Sequence, residues 1–174
     1  TASLVKLEIV QKDKIYLVGF MAAGKTTVAS TLGNRLGWTV VDLDARIELQ
    51  EQQTISEIFA THGEKHFRAA EKRALTELLA HRHTVIATGG GTFVSIENRE
   101  LINNDGCSVW LDVSLNTIAE RLPLDGTRPL AAKRDSMASL YAARRSAYKH
   151  AHLHLKADPA TTDELASQIV TYLD

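Results

Sequence analysis

A run of apolar residues, Ile15-Tyr16-Leu17-Val18, stops at Gly19, and after four more residues come Gly24, Lys25 and Thr26. No other feature narrows the fold of this chain as far. Gly-x-x-x-x-Gly-Lys-Thr at the end of a strand joins that strand to the start of a helix. In that setting successive backbone N–H groups converge on phosphate oxygens, and the helix N-terminus adds partial positive charge. Lys25 then reaches the β- and γ-phosphates of a nucleotide, and the Thr26 hydroxyl is a ligand for Mg2+. Gly19, Ala22, Ala23, Gly24, Lys25, Thr26 and Thr27 are therefore the expected nucleotide-binding residues. Ala22 and Ala23 stand where such loops usually carry glycine. The backbone does the gripping, so a methyl group is compatible unless its residue takes a positive φ. Only a left-handed Ala22 would count against the loop.

The rest of the chain alternates short β-rich runs with helical patterns. Runs at 15–19, 38–44, 84–91, 107–113 and 152–156 predict five strands, and the alternation predicts a parallel sheet covered on both faces, an α/β fold. Thr54 with Glu57 and Thr161 with Glu164 have capping-box spacing. Ser95, Ser114 and Asp135 are candidate N-caps, while Gly37 and Gly63 stand where helices should stop. Residues 64–81 predict a long amphipathic helix with Phe67, Ala70, Ala74, Leu75, Leu78 and Leu79 towards the core. The stretch 123–135 fits neither pattern and holds two of the three prolines, a glycine and three basic residues. A structureless loop of that length in a compact domain is commonly functional.

Composition excludes some classes. With 174 residues, 44% hydrophobic and 24% charged, the chain fits one globular domain. A net charge of −1 argues against a nucleic-acid partner, which usually meets a strong basic excess. No apolar run approaches the roughly 18–20 residues that span a bilayer, and the first residues hold no apolar leader, so a cytoplasmic protein is expected. The start at Thr rather than Met is expected to reflect trimming or a longer parent. The one cysteine, Cys107, lies in an apolar run and reads as a buried thiol.

Several polar groups stand where chemistry can be placed. Asp42 and Asp44 end the second strand, where ligands bind in open α/β sheets. The alternative is a solvated Asp42 and a helix cap at Asp44. Arg68 and Glu71, three apart on one helix, can pair. Gly89, Gly90 and Gly91 form a bare patch that a ligand can approach closely. His152 and His154 share a strand face, but no nearby Cys or carboxylate completes a metal site, and a solvated sheet edge is the default.

"VVDLD" after the second strand, "GEKHFRAAE" at the long helix, "TGGG" after the third strand, "TRPL" in the irregular stretch and "RRSAY" near the end follow the first motif in order. Together they resemble the shikimate kinases, P-loop kinases related to the nucleoside monophosphate kinases, from about Lys14 to Asp174. The resemblance implies a three-layer fold with a five-stranded parallel sheet flanked by helices, a lid at about 123–135 and a substrate-binding helical region, within one domain, 1–174. It implies transfer of the γ-phosphate of ATP to the 3-hydroxyl of shikimate, with Mg2+, on the route to aromatic amino acids. Lys25, Asp44 and Arg128 are the implied catalytic residues. Thr26 and, through water, Asp42 would serve the metal. Arg68, Arg144, Gly89, Gly90, Gly91 and Asp44 would hold shikimate, with Glu71 keeping Arg68 in place and Phe59 and Phe67 walling the pocket. Arg121 and the loop 157–161 would border the adenine, and Arg128 would close over the phosphates. A monomer is expected. A kinase for another polyol or a nucleotide, and a ligand-sensing domain of a regulator, are the alternatives. The retained Lys25, Asp42, Asp44 and Arg128 speak against the second.

Overall fold

The computed structural model describes residues 9–122 and 130–174, the side chains of 130–135 excepted. Five strands, β1 (Lys14–Val18), β2 (Thr39–Asp42), β3 (Thr84–Ala87), β4 (Cys107–Asp112) and β5 (Leu153–Lys156), form one parallel sheet in the order β2-β3-β1-β4-β5. Burial follows that order. The three inner strands read as near-continuous apolar runs because both their faces are covered, and Ile15, Leu17, Val85, Ile86, Val109 and Leu111 are all fully buried. The edge strands β2 and β5 are partly exposed, which is why β5 reads most weakly in the sequence.

Helices fill the connections: α1 (Lys25–Leu36), α2 (Leu43–Glu51), α3 (Ile55–Leu78), α4 (Ile96–Asp105), α5 (Leu115–Arg121), α6 (Leu130–Tyr148) and α7 (Thr162–Leu173). Both predicted capping boxes form, at Thr54 and Thr161, and Ser95 and Ser114 cap α4 and α5. Gly37 ends α1 with left-handed dihedrals, and Gly63 interrupts α3 with φ 83° and ψ 175°. Among the described residues no helix is long and apolar enough to cross a membrane.

Two expectations need correction. Asp135 is not an N-cap: α6 begins five residues earlier, at Leu130, so Asp135 lies inside it. For the same reason 130–135 is not irregular chain. The alanines there carry high helix propensity, and a proline directly before a helix is compatible with its start. The remainder of the expected lid, 123–129 with Arg128, lies outside the described residues.

The chain runs from β1 outward to β2, then returns to β3 and crosses to β4 on the other side of β1. The order therefore reverses between β1 and β3. In open parallel sheets the crevice at the carboxyl ends of the strands beside such a reversal is the binding place.

Candidate active site

Val18 ends β1, and residues 19–24 turn into α1. Gly24 has φ 92°, and Ala22 also lies in the left-handed region, at φ 59°. The one condition that would count against the loop is therefore met: Ala22 is left-handed, and it holds that conformation at a cost in strain. Lys25 Nζ donates to the carbonyls of Gly19 (2.6 Å) and Phe20 (2.9 Å). Burial lowers its pKa to about 8, with Arg144 adding to that and Asp44 and Asp42 pulling the other way.

Asp42 is the N-cap of α2: its Oδ1 accepts from the Ala45 amide at 3.0 Å, and its Oδ2 accepts from Thr26 Oγ1 at 3.2 Å. The capping role considered for Asp44 thus belongs to Asp42. Asp44 sits in the first turn of α2 instead, so the helix, not an extended strand, brings both carboxylates to one cleft. Asp44 Oδ1 is buried with no hydrogen-bond partner among the described residues. Burial, then Asp42 and Glu71, raise the Asp44 pKa, while Lys25 opposes them.

That cleft, about 390 Å³, is lined by Met21 to Thr27, Asp42, Asp44, Thr88, Gly89 and Gly90. A second cavity of about 370 Å³ continues from the same loop to Arg121, Ala157, Ala160 and Thr162. Arg121 Nη1 donates to the Ala22 carbonyl at 3.0 Å. The two cavities share Ala22, Ala23, Gly24 and Thr27, so a phosphate chain on this loop would have one end in each.

The triple glycine is packed by side chains. A Cβ at Gly89 would lie 2.8 Å from Asp44 Oδ1, one at Gly90 2.9 Å from Arg144 Nη1, and one at Gly91 2.5 Å from Arg68 Nη2. The three bare positions therefore admit one carboxylate and two guanidinium groups against a single turn. Arg68 Nη1 donates to Glu71 Oε1 at 3.0 Å, and Arg68 stands over the Phe67 ring. Arg144 stands over the Phe20 ring, 5.6 Å from its centroid. Its neighbour Arg145 faces elsewhere, to Asp112 at 2.6 Å, Tyr141 and the Trp110 ring. Phe59 and Phe67 meet with centroids 4.9 Å apart, Phe67 buried and Phe59 partly exposed.

Cys107 is buried, and burial lifts its thiol pKa to about 11. His152 Nδ1 accepts from the Ser108 amide and His154 packs on Trp110; among the described residues no group of three His, Cys, Asp or Glu side chains is arranged to hold a metal ion. Two groups of the site were missed in the sequence. Thr92 and Asn98 are buried polar residues that both bond Glu71. Their only signal was a polar residue on a buried face, which cannot be seen before the faces are known.

A family model described as shikimate kinase matches residues 21–174. The shikimate kinase of Bacillus cereus (strain G9842) is 40% identical over 161 residues, covering 91% of this chain and 94% of that protein. That of Sulfurihydrogenibium sp. (strain YO3AOP1) is 37% identical over 158 residues, covering 90% and 95%. A solved structure of shikimate kinase from Acinetobacter baumannii in complex with shikimate superposes with a TM-score of 0.85 at 34% identity, covering 95% of this chain and 94% of that one. The chain belongs to the shikimate kinase family.

Proposed function

From membership of that family we infer that this enzyme moves the γ-phosphate of ATP to the 3-hydroxyl of shikimate, giving shikimate 3-phosphate and ADP. The carrying observation is the convergence on one glycine turn of two arginines and a buried carboxylate oxygen, Asp44 Oδ1, that has no hydrogen-bond partner among the described residues, beside a phosphate loop. A neutral polyol would not need two guanidinium groups, whereas a substrate with both a carboxylate and a hydroxyl uses everything there.

The loop amides and Lys25 hold the phosphates. Lys25 leaves the Gly19 and Phe20 carbonyls for the β- and γ-oxygens, where its charge is worth more than against neutral carbonyls. Arg68 and Arg144 take the shikimate carboxylate, and the glycine amides meet its hydroxyls. The attacking hydroxyl donates to Asp44 Oδ1, which holds it in line and accepts its proton as the bond to phosphorus forms. The raised pKa of Asp44 suits that step. Phosphoryl transfer with a loose transition state asks for positioning more than for base strength, so Asp44 counts chiefly as an aiming group. Arg128 would add positive charge over the transferring group.

Thr26 and Asp42 offer hard oxygen donors side by side, 3.2 Å apart, and fit Mg2+, which keeps most of its waters and takes few protein ligands. When bound, the ion would neutralise charge on the phosphate oxygens. Arg121 and the 157–161 loop border the second cavity, where the adenine would lie. ATP and shikimate are the proposed partners of a cytoplasmic monomer.

The test is ADP release from Mg-ATP with and without shikimate, with quinate and nucleoside monophosphates as controls. Release dependent on shikimate alone is expected. Equal release with quinate or a monophosphate would overturn the substrate assignment.

A further inference from the structure

Glu71 is 1% exposed, lies on α3 and accepts from Arg68, Thr92 and Asn98. Oε1 accepts from Arg68 Nη1 at 3.0 Å and from Asn98 Nδ2 at 3.4 Å, and Oε2 accepts from Thr92 Oγ1 at 2.8 Å. A buried carboxylate with one arginine partner can still rotate about its last torsions. One held at its other oxygen cannot, and the arginine's fork is then fixed in direction as well as place.

Thr92 is also tied to the glycine turn. Its amide donates to the Gly89 carbonyl at 3.2 Å, and its own carbonyl accepts from Asn98 Nδ2 at 3.2 Å. Its Oγ1 lies 3.3 Å from where a Gly89 Cβ would stand, a point that Asp44 Oδ1 also approaches. Thr92 thus joins the turn bearing the substrate amides to the carboxylate that aims Arg68, while it is fully buried itself. It has no path to the substrate except through other groups.

We propose that Thr92 is a positioning residue for substrate carboxylate recognition, acting through Glu71 to orient the Arg68 guanidinium against Gly91. The proposal rests on Arg68 binding the shikimate carboxylate, as argued above. Thr92→Val keeps shape and removes the donor to Glu71 Oε2. It should raise the shikimate Kd roughly tenfold, the effect of one hydrogen bond to a charged group. ATP affinity should stay within about twofold, since the nucleotide loop is untouched. Thr92→Ser, which keeps the hydroxyl, should restore shikimate affinity. In a Glu71→Gln background the further loss from Thr92→Val should shrink, because the two residues act on one group.

Calorimetric titration with shikimate and with ATP reads all of these, and thermal melts read the fold separately. Unchanged shikimate affinity in Thr92→Val, failed rescue by Thr92→Ser, or fully additive losses with Glu71→Gln would each overturn the proposal. If Thr92→Val does not fold, Thr92→Ala takes its place: the same loss of shikimate affinity is expected, and unchanged affinity overturns the proposal. Arg68→Lys separates the premise. Unaltered shikimate affinity there would sink the carboxylate reading itself, whereas a loss there without one in Thr92→Val would sink only the role of Thr92.

Discussion

Ala22 is a residue whose chemistry and conformation disagree. At φ 59° its Cβ crowds the following carbonyl, at a cost of roughly 1–2 kcal/mol that glycine would not bear. Glycine loses about 0.4–1 kcal/mol more on folding through the freedom of its unfolded chain. Ala22→Gly should therefore stabilise the protein by about 0.5–1 kcal/mol and raise the melting temperature by roughly 1–3 °C, read by calorimetry. A lower melting temperature would mean the methyl contributes packing that outweighs its strain. Lys25 carries a second consequence. With its pKa lowered to about 8, Lys25 loses its charge as pH rises through that value. Phosphates favour its charged form, so Mg-ATP binding should take up a proton increasingly as pH rises through 8, and affinity should fall over the same range. Binding heats in buffers of different ionisation enthalpy measure that uptake. Its absence at pH 8.5, or its persistence in Lys25→Met, would assign the proton elsewhere. The sequence showed which residues form this loop because spacing alone carries the motif. It did not show the dihedral of Ala22 or the lowered pKa of Lys25, since both depend on what packs around them.

The glycine turn and α6 meet at the element scale. Arg144 and Arg145 are adjacent, and about 100° of helical rotation sends them to different neighbours. Arg145 holds Asp112 at the end of β4 and lies 4.8 Å from the Trp110 ring centroid, so it pins the helix. Arg144 lies against Gly90 and over Phe20, at the substrate end. Arg145→Ala should cost about 1–2 kcal/mol of stability, from the lost charge-assisted hydrogen bonds and ring contact. Arg144→Ala should leave the melting temperature nearly unchanged and weaken shikimate binding by roughly tenfold or more. Melts and titrations on the two variants check the division, and the reverse pattern would exchange the roles. The spacing of "RRSAY" separated these two arginines only through the family resemblance, because a helix of unknown orientation does not say which face meets the turn. Caps were easier to read. The N-cap and box residues of α3, α4, α5 and α7 act within four residues of chain, so their signal is local. Asp135 misled because an N-cap residue in a helix interior looks the same in sequence.

Across the whole molecule the parallel sheet separates two ends. The cleft lies at the carboxyl ends of the strands, while an ionic network, buried at Lys14 and half-exposed at Arg82 and Asp13, closes the opposite end. Lys14, fully buried at the start of β1, pairs with Asp105 at 2.6 Å, and Tyr16 Oη donates to the same carboxylate. Arg82, just before β3, bonds Asp105 and Asp13. Nothing in the sequence announced this network. Lys14 there reads as a strand-edge lysine, and only the sheet order β3-β1-β4 brings residues 13, 82 and 105 together. Removing one partner of a buried pair strands the other charge, so Asp105→Ala should cost about 3–5 kcal/mol. Lys14→Met removes the fully buried charge and leaves Asp105 its bonds to Arg82 and Tyr16, so no charge is stranded and the cost should be milder. Both variants, once folded, should keep near-normal kcat and shikimate KM, because the network touches none of the groups around the glycine turn. Urea unfolding alongside steady-state kinetics separates the two quantities. A loss of turnover in folded Asp105→Ala would show that strain passes along the strands from one end of the sheet to the other. In that case the division of labour between a stabilising end and a chemical end would not hold for this chain.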